Sequence, residues 1–86
     1  MGLNGTDAPG GGAIINQIFP FTAAENSGLR VGDVIVEFNE VGIRGLEHLF
    51  QLARGSGEGA PVSLRIRREG SEFYLGLQLG RHPLYN

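Results

Sequence analysis

The chain has no cysteine, which excludes disulfides, thiolate zinc sites and thiol nucleophiles. It has little net charge: 7 basic residues against 9 acidic ones leave −2, so nothing draws it to a nucleic-acid backbone. Its apolar runs are far shorter than the ~20 residues that span a bilayer, so no direct membrane insertion is expected. No basic start with an apolar stretch behind it opens the sequence, and a signal peptide is not recognisable. The motifs of catalysis are missing as well. Ser27, Ser56, Ser63 and Ser71 all lie outside Gly-x-Ser-x-Gly. His48 and His82 are far apart and form no i,i+4 metal pair. Gly10-Gly-Gly12 and Gly55-Ser-Gly-Glu-Gly59 carry neither the Lys-Ser/Thr of a phosphate loop nor the G-x-G-x-x-G order. No catalytic residue, metal or cofactor is expected, and the chain reads as a non-enzymatic domain.

What is plentiful is glycine, 15 of 86, scattered rather than repeated, which points to many turns between short strands. The length fits one domain. Residues 1–12 (MGLNGTDAPGGG) read as a flexible segment, 13–80 as the folded unit, and 81–86 as a tail or linker. Ala13 to Phe19 is a β-branched run and reads as a strand closed by Pro20. Thr22-Ala-Ala-Glu25 has capping-box spacing. The Thr22 hydroxyl is placed to accept from the Glu25 amide, and the Glu25 carboxylate to reach back to the Thr22 amide. A short helix follows, stopped at Gly28.

Gly28, Gly32 and Asp33 crowd against the strand Val34–Phe38 in the stretch NSGLRVGDVIVEFN. Either a catalytic loop or a structural corner would bring two glycines and an aspartate there. Asn39-Glu40 reads as a turn in which a type I′ geometry would strain the glutamate. The second helix is expected from Leu46 to about Arg54. Leu46, Leu49, Phe50 and Ala53 form its apolar stripe at 100° per residue, with Leu52 widening it to one side. Two alternating runs, Val62-Leu64-Ile66 and Phe73-Leu75-Leu77-Leu79, flank Arg68-Glu-Gly-Ser71 and predict a hairpin. Arg65, Arg67 and Arg68 beside it read as a solvated basic face. The whole is α+β, mainly β.

This order of elements resembles a PDZ domain, in particular the bacterial type of HtrA/Do-like serine proteases, site-2 proteases and secretion proteins. The likeness rests on Ile18-Phe-Pro20, Thr22-Ala-Ala-Glu-Asn-Ser-Gly-Leu29, Arg30-Val-Gly-Asp-Val-Ile35 and Phe38-Asn39. It implies a partly open antiparallel barrel or sandwich of five to six short strands capped by two helices. It also resolves the corner: Gly28 lets the chain leave the helix, Leu29 plugs the core, Gly32 turns tightly, Asp33 accepts from loop amides and Ile35 points inward.

The resemblance further implies a module that binds protein C-termini or other extended segments by strand addition, regulating or targeting a larger protein of the periplasm or another bacterial envelope compartment, such as a serine protease. The family's hydrophobic-Gly-hydrophobic carboxylate loop falls on Met1-Gly2-Leu3, at an edge strand starting near Gly2 that the long loop Asn4 to Gly12 joins to the strand at Ala13; the implied groove runs between that edge strand and the helix Leu46–Arg54. The implied peptide-binding residues are Met1, Gly2, Leu3, Asn4, Gly45, His48, Leu49, Leu52 and Ala53. A ligand side chain would sit between Leu3, Leu49 and Leu52. The start of the second helix, where relatives select a ligand hydroxyl, falls near Arg44 or Gly45. The alternative is an assembly domain with a closed groove, in which Leu84 and Tyr85 of the tail fill a groove in the same or a neighbouring molecule, leaving self-association open.

Overall fold

β-branched and leucine-rich runs cut by glycine turns form eight elements, shown in a computed structural model whose described residues are 1–57 and 59–78. In chain order they are β1 (Leu3–Asp7), β2 (Ala13–Ile18), α1 (Ala23–Asn26), β3 (Val34–Phe38), β4 (Val41–Gly42), α2 (Leu46–Ser56), β5 (Pro61–Arg68) and β6 (Ser71–Gln78). All six strands belong to one antiparallel sheet, ordered β1-β2-β3-β5-β6, with β4 sharing the β2 edge of β3. An open six-stranded sheet with two helices is thus the form that the expected barrel or sandwich takes. The reading of 81–86 as tail or linker, with Leu84 and Tyr85 as groove fillers, lies outside the described residues, as does Leu79.

The edge strand expected near Gly2 extends further than expected, into residues read as flexible segment and loop. Leu3–Asp7 is a strand, and the loop is confined to 8–12. LNGTD carries one apolar residue and no alternation, so its strand state comes from pairing with β2 rather than from its own pattern. The register runs from Leu3↔Ile18 to Asp7↔Ala13, with a bulge between Asn4 and Gly5. Glycine is required at the bulge, because a Cβ on Gly5 would collide with the carbonyl of Ile14.

The core gathers Leu3, Ala13, Ile15, Leu29, Ile35, Phe38, Leu49, Leu64 and Ile66 between the sheet and the helices. Helix α2 runs to Ser56, past the expected stop at Gly55. The Ser56 hydroxyl donates back to the Leu52 carbonyl at 2.9 Å, and Gly57 (φ 87°) ends the helix. The turn Asn39-Glu40 has both residues at positive φ, 49° and 70°, as a type I′ turn requires. The strain therefore falls on Glu40. Asn39 offsets part of it: its Oδ1 accepts from Ser63 N–H at 2.8 Å and its N–H donates to Ser63 O at 2.7 Å.

Candidate functional site

The Gly28–Ile35 corner is assembled as expected. Gly28 (φ 95°) and Gly32 (φ 99°) take left-handed conformations, and Leu29 and Ile35 are buried. Asp33, 2% exposed, accepts from the Arg30 amide at 2.9 Å. Its main partner was not foreseen. Arg68 grips both carboxylate oxygens at 2.8 and 2.7 Å and reaches the Gly28 carbonyl at 2.9 Å. Burial pushes the Asp33 carboxyl up, but the Arg68 fork and the Arg30 amide outweigh it and hold it below the ordinary carboxylate range. Arg68 is correspondingly raised, first by its bond to Asp33.

The basic face is therefore corrected: Arg68 is a largely covered staple, not a solvated side chain. Arg65 and Arg67 stay accessible but share Glu72, at 2.8 Å each, and Arg65 also meets Glu37 at 3.3 Å. Among the described residues, the hydrogen-bond partners of the Asp33 carboxylate are the Arg30 amide and the Arg68 guanidinium. The corner is structural.

The implied peptide site collects where β1 meets α2. Phe19 N–H donates to Gly2 O at 2.8 Å, which makes Leu3↔Ile18 a non-hydrogen-bonded pair. The N–H and C=O of Leu3 consequently point away from β2, onto the outer flank of the sheet, with α2 alongside. Gly2 (φ 94°) cannot be replaced cheaply, because a Cβ there would collide with the Thr22 side chain. Met1 packs on the core, and its carbonyl accepts from Ala24 N–H at 3.0 Å. The Met1-Gly2-Leu3 loop is thus fastened at its carbonyls to the Phe19–Ala24 corner.

That corner carries the capping box with a shift. Thr22 Oγ1 accepts from Glu25 N–H at 3.3 Å, but Glu25 Oε1 reaches the amide of Phe21 at 2.7 Å rather than that of Thr22. Phe21 stands at φ 62° with its ring 84% exposed.

The remaining residues divide. Asn4 is exposed, and its Oδ1 accepts from Gly5 N–H at 2.9 Å. His48 is half-buried, and its Nδ1 accepts from Arg44 N–H at 2.9 Å, which leaves the ring proton on Nε2. Leu52 and Ala53 are half-buried against the core. Leu49 is a correction: it is 0% exposed. It stands at the centre of the buried arc of α2, opposite Glu47, Gln51 and Arg54, so it belongs to the core. Leu3, 5% exposed, likewise forms floor rather than wall. The expected three-leucine pocket is therefore filled from beneath.

Gly45 starts α2 without a side chain to cap it, and the missing cap comes from the strand. Asp7 Oδ1 accepts from Leu46 N–H at 2.9 Å. Sequence reading missed Asp7. The available signal was a helix start with no local acceptor. A hollow of about 230 Å3 lies beside this contact, lined by Asp7, Arg44, Gly45, Glu47, His48 and Gln51. A larger one, about 340 Å3, lies between α1 and β6, with no charged lining residue.

An open antiparallel sheet with one strand flank beside a helix defines the class. The sequence model described as PDZ domain matches residues 14–68, and the chain belongs to that family. It is 31% identical over 74 residues to a probable periplasmic serine endoprotease DegP-like from Hahella chejuensis, covering 84% of this chain and 15% of that protein. It is 29% identical over 68 residues to a probable periplasmic serine protease do/HhoA-like from Haemophilus influenzae, covering 79% and 15%. The chain thus spans about a seventh of these relatives. An HtrA-type protease, AlgWS227A, solved with a decapeptide, superposes at TM-score 0.86 with 18% identity, over 95% of this chain and 28% of that one. The HtrA3 PDZ domain bound to the phage-derived ligand FGRWV superposes at 0.77 with 21% identity, over 91% and 81%. Among the described residues no helix is long and apolar enough to cross a membrane, and no cluster of metal-ligating side chains forms.

Proposed function

We propose that this domain binds extended peptide segments, chiefly C-termini, by adding them as a strand to the outer flank of β1, and that it regulates or targets a larger periplasmic serine protease. The observation that carries this is the outward N–H and C=O of Leu3, beside α2 and next to the Gly2 loop. A guest strand satisfies those groups, and its terminal carboxylate would lie toward the Gly2 loop. The relatives support the setting through their names, periplasmic serine proteases of which this chain matches a small part. The solved structures with a decapeptide and with FGRWV support the peptide.

A few strand hydrogen bonds and one partly buried side chain, offset by association costs, give an affinity near −7 to −8 kcal/mol, about micromolar. The test is an amide-shift titration with FGRWV and with its C-terminally amidated form. Shifts at Gly2–Gly5 and along 46–53, weakened by amidation, are expected. No shifts, or shifts elsewhere, speak for the closed-groove docking reading, which the filled floor at Leu3 and Leu49 favours.

A further inference from the structure

The β1 flank is not open along its whole length. At the end away from Gly2, Asp7 reaches from β1 to α2 through its bond to Leu46 N–H. The approach is close enough that any side chain opposite would have to push the Asp7 carboxylate aside. A Cβ on Gly45 would stand 2.5 Å from Asp7 Oδ1 and 2.8 Å from Cγ. Gly45 is extended at φ 176°, a conformation open to any residue, so contact and not backbone freedom accounts for it. The two walls of the cleft therefore touch at this end. A guest strand antiparallel to β1, starting at the Gly2 loop, pairs along Leu3 and must stop before Asp7. At about 3.4 Å per residue this leaves room for about four residues. The hollow beside the clasp, rimmed by Arg44, Glu47 and His48, gives the upstream chain a way out of the cleft.

We propose that Asp7, seated against Gly45, is a positioning residue that sets how many ligand residues are read. The inference rests on the strand-addition reading and adds a length limit to it. With the clasp closed, residues beyond about the fourth from the carboxylate leave the sheet and contribute no ladder hydrogen bonds. Opening the clasp frees the rest of the flank and lets a longer guest pair.

The test is a peptide series: GRWV, and GRWV lengthened upstream by two and by four threonines, titrated against wild type, Asp7→Asn and Asp7→Ala. Asn keeps the Oδ1 acceptor, whereas Ala removes it. Wild type and Asp7→Asn should bind all three peptides within about threefold. Asp7→Ala should bind about fivefold tighter with each added pair. Leu46 amide exchange should quicken only in Asp7→Ala. A merely structural cap would change the stability of the variant but not its length dependence. If Asp7→Ala does not fold, Gly45→Ala, which crowds Asp7 away from Leu46, carries the same comparison. A flat series in the opened variant, or a steady gain with length in wild type, overturns the proposal. If no peptide shifts any amide of wild type, strand addition falls and this inference falls with it.

Discussion

Two aspartates do the same local job in opposite surroundings. Asp33 accepts a loop amide from inside the protein and is clamped by a guanidinium on both oxygens. Asp7 accepts a helix amide at the surface through one oxygen. The first contact joins a buried carboxylate to a guanidinium that is 19% exposed, so removing one partner leaves the other mostly out of water. The second is within reach of water, which can replace it. The corner is thus built to stay shut, whereas the clasp can be opened at small cost. Rigidity has been placed away from the flank, and adaptability beside it.

The sharpest way to break this comparison is Asp33→Ala. It should cost about 3 kcal/mol, read by urea unfolding. A loss below about 1 kcal/mol would mean that the corner is no more fixed than the clasp.

Acid gives the next test. The Asp33 carboxyl is held low in the folded chain, so as pH falls the unfolded chain takes up its proton first. The stability it contributes is complete above the ordinary aspartate value, near pH 4, and drains as pH drops toward the folded value. The unfolding midpoint of wild type should therefore fall more steeply below about pH 4 than that of Asp33→Asn. Parallel profiles would remove the ion pair from the account.

Asp7→Ala should cost only about 1 kcal/mol, the usual worth of a helix cap. Asp7→Asn should be close to neutral in the same thermal melts. A cost matching that of Asp33→Ala would erase the contrast. The smallest effect belongs to a site tied to neither region. Glu40→Gly relieves a left-handed glutamate and should stabilise by about 0.5–1 kcal/mol, leaving peptide titrations unchanged. It calibrates how large a purely local change looks.

The corner was legible because its devices are neighbours in sequence. Gly28 at a helix end, Leu29 beside it and Gly32-Asp33 before an apolar run each announce themselves within a few residues. The β5–β6 hairpin was legible through its period of two. What escaped depends on long-range pairs. Arg68 meets Asp33 across 35 positions and Asp7 meets Leu46 across 39. The extent of β1 past Leu3 was hidden because its strand state there is imposed by β2. Leu49 was misplaced for another reason. The apolar arc of α2 is wide, and periodicity alone does not say which part of it faces a cleft.

Ile15 is where the two regions meet. Its N–H donates to Asp33 O at 2.9 Å, and its carbonyl accepts from Gly32 N–H at 2.8 Å. Beyond it, β2 joins β3 through only two register pairs, Ala13↔Ile35 and Ile14↔Val34. The β1–β2 ribbon therefore hangs from the body of the sheet like a door on a short hinge, and the corner is the post to which that hinge is screwed. Amides of the ribbon should exchange with solvent well before those of the eight-pair β5–β6 ladder. Loosening the post should be felt first at the door's free edge, in Leu3 to Asp7.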